Sequence, residues 1–268
     1  MQEVEMLALA VDQRRKDKKF KPYVKAVVSG DVIEIYTYDI PPYAPDDKSR
    51  ESQKKGHTGD FENDDGISDK ADRRDEIRKK TAYRRRNTFR RRVLANFTGK
   101  KSKFYTFTFE DDIRDIHVAN KYWSEFVRRM RDEFGKFQYA TVIEFQDKNR
   151  NGVVHYHMIA NLPYIDFNEL TKLWGNGHVY VKSIKHVDNV GAYMIKYMCK
   201  DLDDKRLDGK KAYMCSQGLE KEKIYRGLNA EILLQAMELD QKKAVFTNSY
   251  ESEYNGMVNY REYNLKRS

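Results

Sequence analysis

Apolar residues in this chain fall into short alternating runs and one long helical stripe, separated by polar breaks. Positions 22 to 39 (PYVKAVVSGDVIEIYTYD) hold two β-branched and aromatic runs broken by Ser29-Gly30-Asp31, the pattern of a hairpin. FYTFTF at 104 to 109 alternates as a strand. After Asp111-Asp112, the residues Ile113, Ile116, Trp123, Phe126, Val127, Met130 and Phe134 share one stripe, which predicts an amphipathic helix ended by Gly135. FQYATVIEF (137 to 145) and GVVHYHMIANL (152 to 162) read as strands flanking QDKNRN, where Asn151-Gly152 is a hairpin signal. Asp166 then caps a short helix, DFNELTKLW, broken by Gly175 to Gly177. HVYVKSIK (178 to 185) is a fourth strand, and Asp188 caps a last helix, NVGAYMIKYMCK. The order is βαββαβ plus a helix. It predicts an α+β chain with a ferredoxin-like or RRM-like antiparallel sheet and an added C-terminal helix that bears two tyrosines.

The regions outside this pattern differ in texture. Residues 1–40 read as a small N-terminal hairpin region, and 41–80 as a charged, flexible linker of Pro, Asp, Lys, Ser and Gly that passes into a helix. At 81–102 comes an arginine-rich segment. Its core, TAYRRRNTFRRR, interleaves Arg84, Arg85, Arg86, Arg90, Arg91 and Arg92 with Tyr83 and Phe89. Arginine without matching acid, beside aromatics, suits a segment that tracks phosphates, so these six are expected to contact nucleic acid. Residues 103–225 form the domain with the legible pattern. Residues 226–268 read as a C-terminal helical extension around AEILLQAMELD.

Composition narrows the class. The 268 residues carry 51 Lys+Arg against 42 Asp+Glu, a formal charge of +9 that makes nucleic acid the default partner. No run approaches the roughly 18 uncharged apolar residues that a membrane span needs, and 13% aromatic residues argue against a disordered tail. The first residues lack a basic stretch and a full apolar core, so no export signal is expected and the chain is assigned to the cytoplasm of a bacterial host cell. Cys199 and Cys215 form no C-x-x-C pair and read as incidental thiols.

Two groups of residues carry chemistry. Strand alternation puts His155 and His157 on one face, with Val154, Tyr156 and Met158 on the other. If the turn centres on Asn149-Arg150, Glu144 lies across from His155. Two imidazoles and a carboxylate suit a divalent cation with open positions, although an H-x-H pair is also common on a wet sheet face. In the last helix, Tyr193, Lys196, Tyr197 and Lys200 fall at i, i+3, i+4 and i+7 and share a face. Tyrosines so spaced often serve packing. The doubled Tyr-x-x-Lys pattern favours chemistry, since an ammonium beside a phenol helps it act as a nucleophile.

The series TFTF (106 to 109), Glu144, HYH (155 to 157) and YMIKYMCK (193 to 200) resembles the ordered motifs of the HUH endonuclease superfamily. More narrowly it is similar to the rolling-circle replication initiators of small plasmids and single-stranded DNA phages, of the two-tyrosine type. SQGL at 216 to 219 resembles a segment that follows the tyrosine helix in such initiators. The resemblance covers about 103 to 225. It implies that His155, His157 and Glu144 bind Mg²⁺ or Mn²⁺, that Tyr197 and Tyr193 are the nucleophiles, and that Lys196 and Lys200 assist. It further implies nicking and religation of single-stranded or cruciform origin DNA through a 5′-phosphotyrosine, leaving a 3′-OH that a host polymerase extends. No G-x-x-x-x-G-K-[ST] occurs, so a host helicase would open the duplex. Two other readings remain: a non-catalytic RRM-like nucleic-acid-binding module, and a relaxase or transposase of the same superfamily.

Overall fold

A computed structural model describes residues 23–42, 67–198 and 204–267. In chain order the elements are β1 (Tyr23–Ser29), β2 (Val32–Tyr38), α1 (Ile67–Asn96), β3 (Lys103–Thr108), α2 (Ile116–Phe134), β4 (Tyr139–Gln146), α3 (Asp147–Arg150), β5 (Val153–Ala160), α4 (Phe167–Trp174), β6 (Val179–Ser183) and α5 (Val190–Met198). A 3-10 turn (Lys205–Leu207), β7 (Tyr213–Cys215), β8 (Lys223–Arg226), α6 (Leu228–Ala236), β9 (Phe246–Ser252) and β10 (Gly256–Asn264) follow. The result is a mixed α+β chain with two five-stranded antiparallel sheets. It divides into two units. One takes residues 23–27, 34–42 and 224–263, and the other takes 28–33, 67–198, 204–223 and 264–267.

The first sheet has the order β8-β1-β2-β10-β9. The predicted hairpin is present, with Gly30 at φ 58 in its turn. Residues 226–268 hold more than the expected helix: β9 and β10 pair from Gly256↔Ser252 to Glu262↔Phe246. Sequence patterning missed these strands because β9 is exposed along nearly its whole length and so carries no apolar alternation.

The second sheet has the order β6-β3-β5-β4-β7. Alternation divides its side chains between two cores. On one face Phe107, Tyr156 and Met158 pack with Trp123, Phe126 and Met130 of α2 and with Leu170 and Trp174 of α4. On the other, Phe104, Ala140, Val142 and Ile159 pack with Phe89 and Val93 of α1, with Phe97 just after it, and with Val190, Met194 and Met198 of α5. Full burial of each such side chain contributes about 1.5–3 kcal/mol, enough to fix a nine-residue helix that could not hold itself.

Local chemistry sets the element ends. Helix α2 starts at Ile116, after Asp115, whose carboxylate accepts from the His117 and Val118 amides; Asp111-Asp112 lies ahead of it, and Ile113 with them. Asp166 caps α4 as expected. Gly177 follows it at φ 141, where a Cβ would meet Glu110 N at 2.4 Å and Thr108 O at 2.5 Å, so the chain can return beside the end of β3 only with glycine. Asn189, not Asp188, caps α5 by accepting from the Ala192 amide at 2.8 Å, while Asp188 pairs with Arg267. Asn189→Ala is expected to lower stability by about 1 kcal/mol, seen as a lower denaturant midpoint at unchanged slope.

Candidate active site

The β4–β5 register places Glu144 opposite His155, as the turn centre predicts. One helical turn, α3, with Asn151 and Gly152 at positive φ, replaces a tight two-residue turn. His155 and His157 are each 4% exposed on the face toward α5. The Glu144 carboxylate leans past His155 and bonds to His157 Nε2. On the other side of the ring, Thr106 Oγ1 lies 3.1 Å from His157 Nδ1. With Nε2–H donating to the carboxylate, Nδ1 accepts from the Thr106 hydroxyl; turned to accept Nδ1–H instead, the same oxygen would leave Nε2 with the lone pair a cation requires.

Helix α5 brings both tyrosines to this histidine. The Tyr197 ring centroid is 4.2 Å from that of His157, and the Tyr197 hydroxyl donates to the Tyr193 hydroxyl at 3.4 Å. Phe104 of β3 is the shared support: it stacks on His157 at 5.6 Å and on Tyr197 at 4.9 Å, and meets Tyr193 edge-on at 5.1 Å. Met194, Ile195 and Met198 bury the opposite side of the helix. Two ammonium groups reach the Tyr193 ring, Lys196 at 5.8 Å and Lys182 of β6 at 6.0 Å. Lys200 lies outside the described residues. Burial pushes the Tyr197 phenol well above its ordinary pKa, and the Tyr193 hydroxyl and the Glu144 carboxylate add to the rise. At neutral pH Tyr197 is therefore a phenol, and positive charge arriving nearby would favour its phenolate.

A cavity of about 630 Å³ opens beside this cluster, lined by Thr106, Glu144, Asp147, Lys148, His155 and His157 among others. Arg206 braces two of the lining residues: the guanidinium grips Asp147 at 2.7 and 2.8 Å, holds Asp204 Oδ1 at 2.9 Å and lies 3.9 Å over the Phe145 ring. Those bonds hold the Asp147 carboxyl below the usual range. The donor set of one carboxylate and two imidazoles, all lining one cavity, fits a divalent cation in chemistry. Their spacing is that of a closed pair, Glu144 on His157, and no group of three or more His, Cys, Asp or Glu among the described residues is spaced to hold a metal ion.

The six arginines all lie on α1 but not on one surface. Arg84 and Arg85 are exposed, Arg86, Arg91 and Arg92 are half-buried, and Arg90 is only 7% exposed. Arg90 and Phe89 are packing positions: Phe89 lies in the α1–α5 core, and Arg90 runs close to Gly191. Sequence reasoning did not single out Phe104, Lys182, Asp147 or Arg206 as site residues. Phe104 and Thr106 share the face of His157 by alternation, a signal usable once β3 is known to pair with β5. Arg206 carries no local signal, because its partner Asp147 lies 59 residues away.

A sheet bearing a Glu–His pair, with a helix that seats two tyrosines on it, gathers a carboxylate, two imidazoles and two phenols on one sheet face. The model of the replication-associated protein (ORF2) family matches residues 102–202, the stretch from the start of β3 through the tyrosine helix. No curated protein and no solved structure matches the chain significantly. No helix among the described residues is long and apolar enough to cross a membrane.

Proposed function

We propose that this chain initiates rolling-circle replication by nicking and rejoining single-stranded or extruded cruciform origin DNA, as an HUH-type enzyme of the two-tyrosine kind. The single observation that carries the reading is the seating of Tyr197 on His157 with Tyr193 at hydroxyl contact. The family match over residues 102–202 supports a replication role. The strand order β6-β3-β5-β4, antiparallel throughout, supports a ferredoxin-like sheet beneath the site.

In this mechanism the tyrosine oxygen attacks phosphorus in line. A bond forms between that oxygen and the 5′-phosphate, the bond to the 3′ oxygen breaks, the phenol proton leaves and the 3′ oxygen gains one. The phosphotyrosine ester preserves the bond energy, so rejoining needs no ATP. Glu144, His155 and His157 would hold Mg²⁺ or Mn²⁺, which supplies a Lewis acid for a phosphodiester oxygen. Phe104 fixes the tyrosine rings, Thr106 fixes the His157 tautomer, and Lys196, Lys200 and Lys182 offset charge that develops on phosphate. Tyr197, the closer to His157, makes the first attack, and Tyr193 is placed to cleave the regenerated junction. The exposed arginines of α1 hold flanking DNA, and a host polymerase and helicase extend the 3′-OH in the bacterial cytoplasm.

The test uses a library of single-stranded oligonucleotides labelled at the 3′ end, incubated with the protein and Mn²⁺. The label should migrate with the protein on a denaturing gel, and EDTA should prevent it. DNA binding with no adduct at any sequence would overturn nicking and favour a non-catalytic binding module.

A further inference from the structure

A second cavity, of about 690 Å³, lies in the same unit and shares no lining residue with the first. Its floor is apolar, made by Trp123 and Val127 of α2, Tyr139 of β4 and Met214 of β7. Four cations from three separate segments line it: Arg85 of α1, Arg131 of α2, and Lys210 and Lys211 before β7. No Asp or Glu is among the described residues that line it. At the cavity wall, burial raises the Tyr213 phenol and pushes the Cys215 thiol up to about 11, while Arg92, further along α1, pulls both back down. Arg85 also pulls the Tyr213 phenol down, against an opposing pull from Glu222. Arg131, Lys211 and Arg85 are exposed and can reach a ligand without breaking the core.

Four like charges converging on one concavity repel each other and are held there by the fold, so the cavity favours an anion strongly. An apolar floor beneath the charges suits a ligand with a flat apolar part and phosphates on either side. We infer that this cavity binds one unpaired nucleotide of a DNA strand together with its flanking phosphates, at a place separate from the tyrosine site. The inference deepens the proposed replication role and rests on it, because it gives part of the α1 arginine run a defined partner surface. It assigns Arg131, Lys210 and Lys211, which no sequence motif marks, to the same strand as Arg85.

The experiment compares wild type with Arg131→Ala/Lys211→Ala by fluorescence anisotropy on two single strands, about 6 and about 20 nucleotides long. Expected is a 10-fold or greater loss of affinity for the longer strand, little change for the shorter, and a salt slope lower by about 0.7 for each phosphate no longer held. Equal loss on both strands, or none on either, would overturn it. Unchanged binding of the longer strand alongside saturable binding of a deoxynucleoside monophosphate would make the cavity a free-nucleotide site and also overturn it. A matched thermal melt shows that the variant is folded, as removing exposed charges predicts. The tyrosine-adduct assay on the same proteins separates the two ideas: no adduct in wild type, with the length effect intact, removes nicking and keeps this cavity.

Discussion

The Tyr193→Phe/Tyr197→Phe double variant is expected to lose covalent DNA adduct formation by roughly 10³-fold or more while binding single strands as wild type does. Both hydroxyls go and both rings stay. The contacts that seat them, His157 to Tyr197 at 4.2 Å and Phe104 to both tyrosines, involve rings alone and survive the change. The single variants should differ. Tyr197→Phe should remove most first-strand cleavage, since its ring rests on His157 and its phenol feels the Glu144 carboxylate; Tyr193→Phe should spare the first cleavage and impair strand transfer. Adduct formed at the wild-type rate by the double variant would mean that the nucleophile is another residue.

Much of this arrangement is legible in the sequence because its determinants are local. The His-x-His alternation, the turn centre that sets Glu144 opposite His155, and the i, i+4 tyrosines each depend on residues within about one element of each other. What stayed hidden depends on distant pairing. The lean of Glu144 from His155 to His157 is a rotamer choice made by the packed site, not by register. Phe104 and Lys182 join the site only because β3 lies between β5 and β6. Arg90 looks in the sequence like one more phosphate ligand among six, yet the helical period turns it and Phe89 inward toward α5. The strands β9 and β10 were missed for the opposite reason: β9 is so exposed that burial leaves no mark on its composition.

Glu144→Gln and His157→Ala are expected to separate what the buried pair does for the fold from what it does for chemistry. The pair is nearly excluded from water, with side-chain exposures of 9% and 6%. His157→Ala removes a principal partner of that carboxylate and the ring that both Phe104 and Tyr197 rest on, so a loss of about 3–5 kcal/mol in unfolding free energy is expected. Glu144→Gln keeps a hydrogen bond to the imidazole, because the amide oxygen can accept from Nε2–H, and should melt within a few degrees of wild type. It also removes the only negative charge among the three proposed ligands. Calorimetric Mn²⁺ affinity should therefore fall at least the roughly 10–100-fold typical of disturbed metal sites, with DNA cleavage falling alongside. The stability order and the affinity order thus differ: the alanine variant is weak in both, the glutamine variant in metal binding alone. If both variants bound Mn²⁺ as wild type does, the cation would be held elsewhere, and the Glu144–His157 contact would be a structural bond beneath the tyrosines.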